Sequence, residues 1–211
     1  MVMNNYAKNG FTSITSMGIT TSDKKVIHLY DHISSQRSSF VNDMLSTIGI
    51  LPERNHTVRN FVFVRYDAAH LLPSSSKNGD DFFKIVGIKF WYDGSPYTGS
   101  MYLEKPYLEN YFTKNVLHFP PAHSGSPLLT KDQLGSLIAE YQAAGWQVAI
   151  HTQGDMSTRD VIHTFEKLNT NSKKDYRHRL EHCLLVDDIS FEKISNLNLY
   201  PSFHINHLYY Y

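Results

Sequence analysis

The chain has 211 residues, of which 41% are hydrophobic and 19% charged, values typical of a globular protein with a sizeable core. The 20 basic and 20 acidic residues leave no formal net charge, so the composition argues against a nucleic-acid partner. No apolar run is long enough to cross a membrane, and the first residues lack the pattern of a secretion signal. A single cysteine, Cys183, excludes an internal disulfide and favours a cytoplasmic protein.

The first half of the chain alternates strand-like and helix-like segments. Phe40, Val41, Met44, Leu45 and Ile48 recur at helical spacing before Gly49, which predicts a helix ending there. Strands rich in β-branched and aromatic residues are predicted at 10–20, 60–67 and 86–92. Residues 95–129 are rich in proline and lack a period, so they predict a long loop, which is usually functional in a compact domain.

The second half begins with the best-formed helix signal. Thr130 and Gln133 have the spacing of a capping box, and Gly145 is placed to end the helix. The apolar run before His151 predicts a strand buried on both faces. Further elements are predicted as a helix around 161–168, a strand at 177–186, a short helix near Asp187 and Asp188, and a strand from 199 to 211.

Six strands separated by helices or loops predict an α/β fold with a parallel sheet and right-handed crossovers. Two arrangements satisfy this pattern, an open doubly wound sheet and a (β/α) barrel. No glycine-rich phosphate loop follows any strand, so the usual signature of nucleotide binding is missing.

Three strand ends carry groups suited to chemistry, namely Lys89, His151 and His182. The carboxyl ends of parallel strands form the face where ligands bind, so the three side chains can converge there. Neutral imidazoles bind divalent metals, whereas a lysine does so only when carbamylated. The residues alone leave structural roles open, because Lys89 can be a salt-bridge partner and the histidines can be hydrogen-bonded within the sheet.

Several blocks in order resemble the amidohydrolase superfamily, specifically the amidohydrolase-3 group that includes N-substituted formamide deformylases. "GIKFWYDGSPYTGSMYLEKPYLEN" is similar to that group's fourth barrel strand and "GWQVAIHTQGDMSTRDVIHTFE" to its fifth. "YRHRLEHCLLVDDISFEKISNLNLYPSFHINHLYYY" is similar to the sixth and seventh strands, and "GFTSITSMGIT" to the second. The resemblance covers nearly the whole chain and is strongest from residue 86 onward.

The resemblance implies a partial (β/α)8 TIM barrel of the metal-dependent hydrolase type, with residues 1–211 as a single incomplete barrel domain. The family's first strand ends in a His-x-His pair and its eighth strand supplies an aspartate, and neither has a counterpart in this sequence. We therefore expect strands 2–7 of the barrel, without strands 1 and 8 and without the family's flanking β-domain.

The resemblance also implies a site. Lys89 would be the carbamylated lysine that bridges the metals, and His151 and His182 would be metal ligands. Asp155 would orient the loop after His151, and Arg179 and His207 would contact the substrate. The cofactor would be a divalent metal, one or two zinc ions in the complete site, which activates water for hydrolysis of a non-peptide C–N bond.

With three of the expected ligands and no general base, the isolated chain is predicted to be inactive as a hydrolase of small amides or formamides. The alternative is a non-catalytic remnant, or one piece of a split or oligomeric assembly with no hydrolase activity of its own. Strands without a neighbour would then expose two edges, so self-association through the open barrel edges is also predicted. No membrane or nucleic acid is expected as a partner.

Overall fold

A computed structural model describes residues 2–19, 21, 23–35, 39–52, 58–168, 175–206 and 209 of the chain. The chain divides into two compact units, the first comprising Met1–Lys89 with Ala144–Trp146 and the second Phe90–Ala143 with Gln147–Tyr211. His207, predicted to contact the substrate, lies outside the described residues.

Among the described residues, α-helices and strands alternate strictly in the second half of the chain. The helices are α1 (Val2–Lys8), α2 (Lys24–Ser34), α3 (Phe40–Thr47), α4 (Lys131–Ala143), α5 (Asp155–Leu168) and α6 (Asp188–Asn196). The strands are β1 (Ser13–Ile19), β2 (Arg59–Arg65), β3 (Phe83–Trp91), β4 (Gln147–Thr152), β5 (Arg179–His182) and β6 (Tyr200–Phe203). Short helical turns occur at Tyr66–Leu71, Pro96–Thr98 and Phe112–Val116, the last two inside the predicted long loop.

In the first unit, β1 pairs in parallel with β2, and β2 pairs in parallel with β3. Val62, Val64, Ile85 and Ile88 are buried, because strands of a parallel sheet are covered on both faces and therefore carry apolar runs. The side-chain amide of Asn78 donates to the carbonyl of Ile85 and accepts from its N–H, at 2.8 and 3.0 Å. This side chain therefore satisfies both backbone groups of Ile85.

In the second unit, β4 pairs in parallel with β5, and β5 with β6. The capping box predicted for α4 is confirmed, because Gln133 N–H donates to Thr130 Oγ1 at 3.2 Å and Thr130 N–H donates to Gln133 Oε1 at 2.9 Å. The helix predicted around 161–168 is α5, which buries Val161, Ile162 and Phe165, while Leu168 is half-buried. These helices lie against one another and against β4.

Within each unit the strands follow chain order and are parallel, with α-helices or, between β2 and β3, a short helical turn in the connections. A doubly wound sheet would instead reverse its strand order at a switch point. The chain therefore has the fold of a partial (β/α)8 barrel of the metal-dependent hydrolase type, as predicted. Its assignment as a single domain stays a prediction. Among the described residues, no helix is both long and apolar enough to span a membrane.

Two predicted strands are shorter in the structure than the sequence pattern indicates. β5 ends at His182 rather than continuing to 186, because His182 and Cys183 have φ values of +78° and +44°, which no extended strand allows. β6 ends at Phe203, before the aromatic terminus. Helix α2 was not predicted, and its signal is Asp23, whose carboxylate accepts a hydrogen bond from Lys25 N–H at 2.8 Å as an N-cap.

Candidate metal centre

His151 lies near the C-terminal end of β4 and is 8% exposed. Its Nε2 atom is 2.8 Å from the carbonyl oxygen of Gly94, which follows β3. Because a carbonyl oxygen can only accept, Nε2 carries the proton and donates it, and the lone pair of the neutral ring is on Nδ1. Metal-binding histidines are commonly oriented by such a hydrogen bond from the other ring nitrogen.

The ring of His182 lies beside that of His151, with centroids 4.6 Å apart and planes at 63°. The sheet register pairs His182 with Thr152 and would by alternation direct its side chain away from the His151 face. The positive φ values of His182 and Cys183 break that alternation. Such conformations cost about 1–3 kcal/mol each and concentrate at functional sites. The structure thus brings together two of the three predicted metal ligands.

Asp93 is the buried carboxylate that joins the loops after β3 and β4. Its Oδ1 accepts from Gln153 N–H at 3.0 Å, and its Oδ2 accepts from Gly154 N–H at 2.9 Å and Tyr102 N–H at 3.1 Å. Burial raises the pKa of Asp93, against the opposing effect of these N–H donors. Its Oδ1 is 3.8 Å from His151 Nε2, so a proton on the imidazole lies near a carboxylate. Sequence reasoning did not single out Asp93, although it stands in the "YDGS" turn directly after a strand.

The long loop 95–129 is attached to the start of α5. A Cβ atom at Gly154 would collide with the carbonyl oxygen of Tyr102, so only glycine allows this approach of the two backbones. Asp155 Oδ1 accepts from Glu104 N–H at 3.0 Å and from Met156 N–H at 2.8 Å. Asp155 therefore connects the loop to the helix that follows His151, while its role in catalysis stays a prediction.

Arg179 and Glu181 form an ion pair along β5, with Arg179 Nε 2.6 Å from Glu181 Oε1. The register pairs Glu181 with His151 and Arg179 with Ala149, so both side chains share the His151 face of the sheet. Glu181 is buried, and sequence reasoning missed it although it directly precedes His182. The substrate contact predicted for Arg179 stays a prediction.

Lys89, the third predicted ligand, belongs to the first unit. It is buried near the end of β3, and the register pairs it with Arg65 of β2. Burial at a strand end agrees with the position expected of a ligand. Its carbamylation and its participation in a shared site stay predictions.

His204, just after β6, extends the pair of imidazoles to a third strand end. Its ring centroid lies 6.1 Å from that of His182. The signal that could have found His204 is its position at the end of the next strand.

The imidazoles of His151 and His182 are donors of the kind that a divalent metal prefers. Two adjacent imidazoles, one with its Nδ1 lone pair fixed by Gly94, supply the nitrogen donors that zinc prefers. No cluster of three or more histidine, cysteine, aspartate or glutamate side chains suited to metal binding exists among the described residues. His151 and His182 therefore supply two neighbouring imidazoles of the kind that a divalent metal binds.

Comparison with known proteins identifies a family whose sequence pattern matches this chain. The sequence pattern of the amidohydrolase family matches residues 2–211. No curated protein matches the chain significantly.

Two solved structures are similar in fold. One, a metal-dependent hydrolase from Pyrococcus horikoshii OT3, has a TM-score of 0.65 and 21% identity, and the match covers 96% of this chain and 35% of that one. The other, a metal-dependent hydrolase from Pyrococcus furiosus, has a TM-score of 0.66 and 22% identity, covering 95% and 36%. The chain thus spans about a third of the length of these structures.

Proposed function

The chain belongs to the amidohydrolase family, and from that premise we propose that it carries part of the metal centre of a hydrolase acting on a non-peptide C–N bond. The observation that carries the proposal is the pair of imidazoles of His151 and His182, with His151 held by Gly94 in the tautomer that leaves the lone pair on Nδ1. The metal proposed is a divalent ion, zinc by preference, because both donors are imidazole nitrogens.

When bound, a zinc ion would supply a Lewis acid that polarises a carbonyl group and lowers the pKa of water. The residues of the chain have separate tasks. His151 and His182 would hold the ion, and the carbonyl of Gly94 fixes the orientation of the His151 ring. Asp93 anchors Gln153 and Gly154, so the loop carrying these groups is held in place before any ligand arrives.

The proposed substrate is a small amide or formamide, with Arg179 and His207 as its contacts. Lys89, when carbamylated, would supply an oxygen ligand to the metal. The family match supports a hydrolase, and the choice of a C–N bond rests on the motif blocks around Lys89, His151 and His182. We also place the chain in the cytoplasm, which the single cysteine supports.

Zinc binding and hydrolysis by the purified chain test this function. We expect the metal-free chain to bind zinc in calorimetry, and the isolated chain not to hydrolyse N-benzylformamide. Addition of a second polypeptide carrying the first and eighth barrel strands of a family member should restore zinc-dependent release of benzylamine. Absence of zinc binding, with and without the second polypeptide, would refute the site assignment.

A second candidate is a piece of an assembly without hydrolase activity of its own. It is favoured by β6, which pairs with β5 and, among the described residues, forms the end of the sheet order. Phe203 in this strand is 54% exposed. An exposed edge with apolar side chains is a surface on which another strand can pair. In this case zinc would bind weakly, and the second polypeptide would form a stable complex without restoring hydrolysis.

A further inference from the structure

The side-chain amide of Gln153 is buried beside His151 and carries an unsatisfied polar atom. Gln153 is 5% exposed, and the atom placed as Oε1 has no hydrogen-bond partner among the described residues. Its backbone is held at both ends, because its N–H donates to Asp93 Oδ1 and its carbonyl accepts from Leu185 N–H, each at 3.0 Å. The side chain therefore projects from a fixed point, and its unsatisfied end requires an explanation.

The other end of the amide contacts His151. Gln153 Nε2 lies 3.3 Å from His151 Nε2. His151 Nε2 carries the proton that it donates to Gly94, so two hydrogen-bond donors would face each other in this orientation. The oxygen and nitrogen of an amide exchange places when the group rotates by half a turn, and the hydrogen-bond network decides between them. With the oxygen next to His151, the Nε2–H group makes a bifurcated hydrogen bond, shorter to the Gly94 carbonyl and longer to the Gln153 oxygen.

This orientation leaves the NH2 group at the buried, unsatisfied end. A buried donor without an acceptor destabilises the folded chain, since the group has lost its hydrogen bonds to water. Leucine or methionine would fill a similar volume without that cost. A glutamine at this place is therefore suited to a state in which an oxygen atom from outside the chain accepts its hydrogen bond.

We infer that Gln153 is a ligand-binding residue of the candidate metal centre. Its side-chain nitrogen donates to an oxygen atom of a bound small molecule, and its side-chain oxygen supports the His151 tautomer. The choice of an amide carbonyl oxygen as the acceptor rests on the proposed function, whereas the need for an oxygen acceptor rests on the geometry alone.

Nuclear magnetic resonance of the full, metal-free chain tests this inference, with acetamide as the probe. The side-chain NH2 signals of Gln153 are assigned by their loss in Gln153→Leu. We expect them to shift saturably on titration, while the NH2 signals of Gln147, which donates to the carbonyl of Arg177, stay in place. Unmoved Gln153 signals at saturating acetamide, or equal shifts of both residues, would overturn the inference.

Thermal unfolding of the metal-free chain provides an independent measurement. Gln153→Leu removes the unsatisfied donor, while His151 keeps its hydrogen bond to the Gly94 carbonyl. The Tm should therefore rise by about 2–4 °C. The matched variant Gln147→Leu loses a hydrogen bond that is satisfied in the folded chain, so its Tm should not rise. A fall in Tm for Gln153→Leu would mean that the folded chain already satisfies the amide, and would overturn the inference.

A third variant keeps the test decisive if the leucine variant does not fold. Gln153→Glu preserves size and the acceptor toward His151 but removes the donor, so acetamide affinity, followed by the Gly154 backbone signal, should fall at least about fivefold. An unchanged affinity would overturn the inference. All these measurements omit metal, so a failure of zinc binding would refute the proposed function without affecting them.

Discussion

The imidazole rings of His151 and His182 lie with their centroids 4.6 Å apart although the sheet register places the two residues on opposite faces of their strands. The contact depends on positive φ values at His182 and Cys183, which turn the end of β5. Non-glycine residues in such conformations cluster at active sites and ligand-binding positions. The pair is the basis for the first prediction.

His151→Ala and His182→Ala should each weaken zinc binding by at least about tenfold, since loss of even an outer-shell partner costs 10–100-fold. Calorimetric titration of the metal-free chain measures the affinity. His163→Ala, on the exposed side of α5, is the control and should bind zinc like the unchanged chain. Equal affinity of all four proteins would remove both histidines from the ligand set.

Asp93→Asn should destabilise the chain more than an ordinary surface substitution. The amide nitrogen of asparagine would face backbone N–H groups that now donate to the carboxylate, at a cost of about 1–3 kcal/mol for each donor left unsatisfied. Urea unfolding gives the free energy of unfolding. Asp81→Asn, an exposed aspartate, is the matched control and should change it little. A loss below about 0.5 kcal/mol for Asp93→Asn would contradict its anchoring role.

Tyr92→Phe should lower the free energy of unfolding by about 1.5–3 kcal/mol, the range for a hydrogen bond to a charged group. The hydroxyl of Tyr92 donates to Asp160 Oδ2 at 3.0 Å, and Lys131 Nζ donates to Oδ1 of the same carboxylate at 3.0 Å. Burial and this carboxylate raise the pKa of the phenol, so the hydroxyl stays protonated. Tyr141→Phe is the control. The ring of Tyr141 packs on Phe90, and we expect a smaller loss in the free energy of unfolding.

Stability should fall as the pH decreases from 7 to 4, in part through His178. Burial lowers the pKa of His178 to about 4, while the unfolded chain has the ordinary value of about 6.5. The unfolded state thus binds the proton first, and folded stability present above pH 6.5 is lost as the pH falls toward 4, by about 3 kcal/mol.

His178→Asn tests this pH dependence. Its side-chain oxygen can accept the hydrogen bond that Val148 N–H gives to His178 Nδ1, so the fold should be retained while the pH dependence weakens. Unfolding curves between pH 4 and 7 provide the comparison. His163→Asn, at an exposed position, should leave the slope unchanged, and an unchanged slope in His178→Asn would assign the effect to other groups.

A charge on the exposed edge strand should reduce self-association if the chain pairs through β6. Phe203→Lys places an ammonium on that edge, and light scattering with size-exclusion chromatography over a concentration series measures the mass. Ile189→Lys, on α6 and 68% exposed, adds the same charge away from the strand and should have little effect. A monomer at all concentrations in the unchanged chain would refute edge pairing.

Local patterns identified most elements, because helix and strand periodicity and capping act over a few residues. The α4 capping box and the buried run of β4 were predicted and confirmed. The end of β5 was not predicted correctly, because the positive φ values at His182 and Cys183 depend on contacts with a neighbouring strand, such as Cys183 N–H donating to the carbonyl of Thr152. The end of β6 was also predicted too late. Helix α2 was missed although Asp23 supplies an N-cap signal directly before it.

The family, the order of the elements and the candidates His151 and His182 follow from residue types and spacings along the chain. Which groups surround these histidines depends on contacts that form when the chain folds. His151 lies close to the carbonyl of Gly94 and the carboxylate of Asp93, which are up to 58 positions away in the chain. It also contacts the amide of Gln153 in the loop that follows β4. Hydrogen bonds between distant strand ends have no sequence period, so the tautomer of His151 and the unsatisfied end of Gln153 became visible only in the fold.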